Sequence, residues 1–356
     1  MSSQSSNHES LSAAMQRIQE SRLHVFITFF VPPEASLMGI ARDFIGPRLR
    51  AAYFKSFVRL MKYGHRGHMP WKKDVMTQIR RQVEVSRFFY LNNVISTILK
   101  MPFSEVFFYI HTNSELKADE IKKIWKMSNV KVFVHPEYDK VNFFHNSPWE
   151  TGLFRNPWYL TWEHKKSLRE AASRSSKNDL FLCLEDDLLF TLENMIYFLR
   201  YLGSLKELNF IPSFLRTEWS FQNNNFVAID LSRVDKKLKF ENLPKIELTT
   251  GECFVELPNS YSSVILLDYD LVREYVSSDA FEEAKSRHLV WWDIGARATM
   301  GLQFLNVPAG FSTRHLVPLN RWRTGIAQEA WVSHQPNIYS QKLEFSESVT
   351  PQDFIH

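Results

Sequence analysis

The chain has 356 residues, 44% of them hydrophobic and 14% aromatic, with only 11 glycines; this composition excludes a disordered or fibrous protein and suits one large α/β domain or two fused lobes. A formal charge of +4, from 43 basic and 39 acidic residues without a dense Lys/Arg stripe, argues against nucleic acid as a partner and is compatible with an anionic small ligand or peripheral contact with a membrane. Two cysteines, Cys183 and Cys253, exclude a disulfide framework and a CxxC zinc pattern.

The opening MSSQSSNHESLSAAMQ has no apolar core of the signal-peptide kind, and no apolar run reaches the ~18 residues of a spanning helix. We therefore expect a reducing compartment, cytoplasmic or peripheral to a membrane. Residues 1–20 read as a flexible tail that passes into a short helical lead-in.

HVFITFFV, at 24–31, is a short β-rich apolar run stopped by Pro32 and Pro33, which predicts a buried first strand. Helical spacing over 74–100 ends at Met101-Pro102. EVFFYIHTNS (105–114) predicts a second strand, 116–128 an amphipathic helix, and VKVFVH (130–135) a third strand. A helix over 158–176 then leads to DLFLCLEDD, a fourth strand. This alternation predicts βαβ units and a mostly parallel sheet, so residues 21–190 form a Rossmann-like half. From 191 to 356 the pattern loosens into a mixed α+β half of the same compact domain. It contains a helix at LENMIYFLRYLGSL, strand-like runs over 210–220 and 224–233, a polar stretch over 233–250, a strand-to-helix passage over 262–276, and one or two helices over 281–305.

FLCLEDDLLF (181–190) gathers Glu185, Asp186 and Asp187 where a buried strand leaves the core. Like charges this close raise one another's pKa, and each uncompensated buried ion costs several kcal/mol. A positive group held there gives the triplet a reason. The alternative is a cap for the helix that follows, although capping requires one acid and three are present. In open α/β sheets, moreover, ligands bind outside the carboxyl ends of the strands.

A hydrophobic strand ending in a DxD-like triplet, after three βα units, resembles the nucleotide-sugar-binding half of a GT-A glycosyltransferase. The EDD form is similar to the inverting N-acetylglucosaminyltransferase I type. VWWDIGARA (290–298) and NVPAGFSTRH (306–315) stand in the order and spacing of that family's downstream motifs. The likeness covers about 24–315 in architecture but only these short motifs in residues.

The resemblance implies a metal-dependent transfer, with inversion, from a UDP- or GDP-sugar to a glycan or glycoconjugate acceptor, using Mn2+ or Mg2+. Asp187 would bind the cation, with His315 as a further ligand and His334 as a weaker competitor. Glu185 and Asp186 would meet donor hydroxyls or metal-bound water, and Ser312 and Arg314 the diphosphate. Asp293 is the expected base, with Glu218 as fallback. Trp291, Trp292 and Trp219 would form acceptor-side walls, and Trp149, Trp158 and Trp162 are further platforms or core. Strand ends one and two offer Thr28, Phe29, Phe30, Thr112 and Asn113 for base and ribose; His164 and Lys165 would face the donor from helix 158–176. For Asp293 a helix cap, and for Asn113 a turn, are the structural alternatives.

Two other classes stay open. A sugar-nucleotide-forming nucleotidyltransferase would share the sheet and acids, but it carries a Gly-rich basic loop after strand one, where this chain has FFVPPEASLMG. A non-catalytic carbohydrate-binding protein would use the tryptophans without the EDD. No GxxxxGK[ST], GxGxxG or GxSxG occurs, which disfavours ATPase, dinucleotide-binding and hydrolase readings.

Overall fold

The computed structural model describes residues 10–31, 70–126, 129–138, 157–231, 242–285 and 294–340. Helix α1 (Leu11–Glu20) starts where the Ser10 side chain accepts a hydrogen bond from the Ala13 N–H, and it buries Ala14 and Ile18 completely. The lead-in is therefore core structure, and a flexible tail does not extend to residue 20. β1 (Arg22–Phe29) follows, then α2 (Pro70–Leu99), β2 (Glu105–Thr112), α3 (Glu115–Ile124) and β3 (Val130–Val134). The expected helix over 158–176 divides into a 3-10 segment, Pro157–Trp162, and α4 (His164–Ser173). β4 (Leu180–Glu185) carries the acidic triplet at its carboxyl end.

Beyond it come β5 (Leu188–Leu189), α5 (Leu192–Glu207), β6 (Ile211–Pro212), β7 (Leu215–Ser220) and β8 (Asn225–Ala228). β9 (Lys245–Glu247), β10 (Cys253–Val255), β11 (Val264–Leu267), α6 (Tyr269–Val276), α7 (Ile294–Ala298), β12 (His315–Pro318) and β13 (Trp331–His334) complete the fold. Of the expected helices over 281–305, residues 286–293 lie outside the described residues, and the described part holds α7, a 3-10 turn, Leu302–Phe304, and the end of another, Asp279–Phe281. Gly301, between α7 and Leu302–Phe304, has φ +125°, a conformation that L side chains rarely adopt and that ends a helix. A Cβ there would lie 2.7 Å from that of Ala280.

The architecture is mixed α/β, and the principal sheet has the order β11-β4-β1-β2-β3. β1 pairs in parallel with β2 and β4, and β2 with β3, while β11 closes the edge antiparallel to β4. Both expected halves thus share one sheet. Its strands are continuous apolar runs, as sheets covered on both faces require, and they lie in one core with α1, α2, α5 and α6. The chain turns from β1 towards β2 and β3 on one side and towards β4 on the other. The switch point therefore falls between the carboxyl ends of β1 and β4, where Thr28 stands opposite Glu185. A crevice at such a point is where α/β sheets bind ligands. Two four-stranded sheets, β6-β12-β10-β9 and β5-β13-β7-β8, build the second half.

Candidate active site at the carboxyl end of strand four

The helix-cap reading of the EDD triplet does not hold. α5 is capped by its own box, in which Thr191 Oγ1 accepts from the Asn194 N–H at 3.4 Å and Asn194 Oδ1 from the Thr191 N–H at 2.8 Å. The acids engage other partners. Arg87, on α2, clamps Asp186 through Nε at 3.0 Å and through Nη2, and its Nη2 is 3.9 Å from Asp187 Oδ2. Arg216, on β7, lies 3.5 Å from Glu185 Oε2 and forks onto Asp230 at 2.7 and 3.0 Å. Tyr261 donates its hydroxyl to Glu185 Oε1 at 3.1 Å. Arg87 thus holds Asp186 by the bidentate geometry that favours guanidinium over ammonium, whereas Arg216 forks onto Asp230 and meets Glu185 only as an ion pair.

Asp187 is different. Its Oδ2 lies 3.4 Å from His334 Nε2, while its buried Oδ1 has no hydrogen-bond partner among the described residues. Sheet pairing explains the meeting. β13 runs between β5 and β7, with His334 opposite Leu188 and Ser333 opposite both Leu189 and Thr217. His334 therefore falls between Asp187, one residue before β5, and Glu218 on β7. Glu218 Oε1 holds His334 Nδ1, and its Oε2 accepts the Ser340 N–H at 2.6 Å. Both oxygens of this fully buried carboxylate are committed. Its place is that of a group orienting His334, which leaves it poorly placed as the fallback base.

The electrostatics follow from this packing. Burial alone would lower the His334 pKa, but Asp187 and Glu218 raise it to about 9. Burial works to raise Asp187, yet His334 and then Arg87 and Arg216 hold it well below the usual carboxylate range. Burial pushes Asp186 up to about 7 against the pull of Arg87, and its acidic neighbours add to the push. The neighbouring acids add to the rise of Asp186 and Glu185 behind burial, but at Asp187 the pull of His334 and the arginines outweighs them.

The remaining sequence candidates divide sharply. Thr28 sits beside Glu185 in the ladder, and Phe29 packs edge-on against Phe88. Phe30 joins a small cluster with Tyr138 and Leu160. The Asn113 amide clamps Val31, accepting its N–H at 2.9 Å and donating to its carbonyl at 2.7 Å, a bridge to the segment after β1 that neither the donor reading nor the turn alternative anticipated. Thr112 is buried and accepts from the Ser114 N–H. Lys165 does not face outward to a donor. Its ammonium is buried, donates to the Ala280 and Phe281 carbonyls at 3.3 and 3.2 Å, and lies 4.1 Å from the Trp162 ring centroid. His164 Nδ1 donates to the Thr161 carbonyl at 2.5 Å, and its buried Nε2 has no partner among the described residues.

The FSTRH loop is not brought to Asp187. Ser312 is tied to Glu256, Arg314 pairs with Glu274 at 2.6 Å, and His315 is buried 3.2 Å from Ser213 Oγ. Burial lowers His315 to about 4, as befits a neutral core histidine. The histidine beside Asp187 is His334, ranked lower from sequence because no local pattern marks WVSHQP. Trp219 is half-buried on β7, edge-on to Phe226. Asp293, Trp291, Trp292 and Trp149 lie outside the described residues, as does the side chain of Trp158.

No protein-family model, curated protein or solved structure matches this chain. Among the described residues, no helix is long and apolar enough to cross a membrane.

Proposed function

We propose that the protein is a metal-dependent glycosyltransferase of GT-A architecture, moving a sugar with inversion from a UDP- or GDP-sugar to a glycan or glycoconjugate acceptor. The observation that carries this reading is the Asp187–His334–Glu218 array, which presents a buried, unpartnered carboxylate oxygen beside the switch point of the sheet. A buried ionised oxygen without a partner is costly, and a divalent cation would satisfy it. Asp187 and His334 would hold that cation. One carboxylate and one imidazole suit Mn2+ better than Mg2+, which prefers oxygen ligands alone. When bound, the cation supplies neutralisation of the charge that grows on the diphosphate leaving group.

The protein's own groups prepare the site. Glu218 sets the His334 ring so that Nε2 faces Asp187, the carboxylate–histidine arrangement usual behind metal-binding imidazoles. Arg87 and Arg216 fix Asp186 and Glu185, which keeps the acids assembled and leaves Glu185, the one partly exposed member, to meet a donor hydroxyl. Asp293 remains the candidate base on its sequence position alone.

Screening nucleotide sugars for Mn2+-dependent thermal stabilisation and hydrolysis tests the reading. The wild-type protein should respond to one class of nucleotide sugar only with the metal present, and Asp187→Asn should not respond. Undiminished hydrolysis in Asp187→Asn, or in chelator, would overturn it.

A further inference from the structure

A second cluster lies at the other side of the sheet. His135 follows β3 directly, its N–H extending the ladder to the Thr112 carbonyl at 2.8 Å. Glu137 sits in the 3-10 turn Pro136–Tyr138, and Glu163 lies between the 3-10 segment Pro157–Trp162 and α4. One ligand atom from each of His135, Glu137 and Glu163 lies within 4.8 Å of the other two. In the strand order β3-β2-β1-β4, three steps of about 4.8 Å place this cluster roughly 14 Å from the triplet.

The spacings are informative. His135 Nδ1 is 3.7 Å from Glu137 Oε1 and 3.9 Å from Glu163 Oε2. An N–H donated to either oxygen would close to about 2.7–3.2 Å. The observed gaps approach the separation of two ligands held across a divalent ion at about 2.0–2.2 Å each. Side-chain adjustment of the two partly exposed glutamates would bring all three atoms to such bonds.

The surroundings hold these groups in a ligating pose. His135 Nε2 is 3.1 Å from His111 Nδ1, and His111 Nε2 is 3.1 Å from Ser167 Oγ. When His135 Nε2–H donates to His111 and His111 Nε2–H donates to Ser167, Nδ1 of His135 presents a lone pair to the two carboxylates. These contacts hold the ring in place in either direction of the relay, and the His111 and His135 rings stack at 5.3 Å. Tyr138 donates its hydroxyl to Glu163 Oε1 at 2.5 Å, and the other oxygen, Oε2, lies 3.9 Å from His135 Nδ1. Metal-binding histidines and carboxylates are characteristically anchored by such outer partners.

We propose that His135, Glu137 and Glu163 form a divalent-cation site suited to Zn2+, separate from the Asp187 site. One imidazole and two carboxylates give three ligands and leave a fourth position for water. The ion would fasten the exit of β3 to the start of α4.

Zn2+ titration by calorimetry of the full, metal-stripped chain tests this independently of the glycosyltransferase reading. Asp187→Asn should still bind one Zn2+, and Glu137→Gln combined with Asp187→Asn should bind it at least about tenfold more weakly. Tyr138→Phe should weaken the same event by about 10- to 100-fold. Glu137 is largely exposed, so its variant should fold; its melting curve without metal should match the parent. Absence of Zn2+ binding by Asp187→Asn, or unchanged binding after Glu137→Gln, would overturn the site. Zn2+ binding that is lost with Glu137→Gln but untouched by Asp187→Asn would support this site whatever the outcome of the Mn2+ test at Asp187.

Discussion

His334 Nε2 stands 3.4 Å from Asp187 Oδ2, and its Nδ1 is held by Glu218, so one imidazole ties the acidic end of β4 to the middle of β7. The link spans 147 positions in sequence and depends on β13 entering between β5 and β7. It converts three crowded acids into a site with distinct roles, in which two are fixed by arginine and the third keeps an open oxygen.

Glu218→Gln retains the shape and the acceptor for the Ser340 N–H but weakens the hold on His334. Mn2+ affinity should fall by about 10- to 100-fold with little change in melting temperature. Calorimetric titration checks it, and unchanged affinity would remove Glu218 from an orienting role.

Arg87→Met strands Asp186, which is fully buried. Breaking such a pair costs about 3–5 kcal/mol, and the part-exposed guanidinium places this case near the lower end. Adding Asp186→Asn to that background should recover part of the loss, since an amide needs no counter-ion. A double-mutant cycle in urea measures both, and additive losses would show that the pair is not coupled.

Residues 11–20 should behave as core. Ile18→Ala should destabilise the protein by about 2–5 kcal/mol, the cost of a buried cavity, as read by urea unfolding; a flexible lead-in would lose almost nothing.

His315 offers a pH test that also separates it from the proposed metal site. Its folded pKa is depressed to about 4 by burial, whereas the unfolded chain titrates near 6.5. As pH falls below about 6.5 the unfolded state takes up the proton first, so stability declines until about pH 4, by on the order of 3 kcal/mol from this residue. His315→Asn should flatten that part of the stability–pH curve and leave Mn2+ affinity unchanged. A loss of Mn2+ binding would return His315 to the ligand set.

The parallel strands and the triplet were legible because they are local. Apolar runs such as FLCL and HVFITF report burial directly, and their polar exits report the carboxyl edge. The placing of His334 beside Asp187 through the two-residue β5 was not, because neither WVSH nor LL has a period long enough to register, and His334 stood only as a weaker competitor. Their pairing is a long-range event, decided by which edge of β7 is left unpaired. FSTRH misled for the opposite reason. Ser, Arg and His in one loop look like an anion site, but Glu256 and Glu274 from distant segments have already satisfied Ser312 and Arg314. Lys165 misled in the same way, since helical spacing cannot reveal that the Ala280 and Phe281 carbonyls close over it.

The assignment of the base is best tested by kinetics. A general base acts only as the acceptor oxygen attacks, so Asp293→Asn should lower kcat by about 10²- to 10⁴-fold while donor affinity stays near wild type. On the proposed reading Asp187 would serve both donor binding and reaction, so Asp187→Asn should lose Mn2+-dependent donor binding together with rate. Calorimetry with the donor and Mn2+ distinguishes the two even when product assays find both inactive. The product's anomeric configuration, read by NMR, should be opposite to the donor's. Glu218, with both oxygens engaged, offers no alternative base, so retention of configuration would argue against inversion altogether. Should Asp293→Asn instead abolish donor binding or unfold the protein, the aspartate of WWDIG caps the helix that begins at Ile294 and takes no proton.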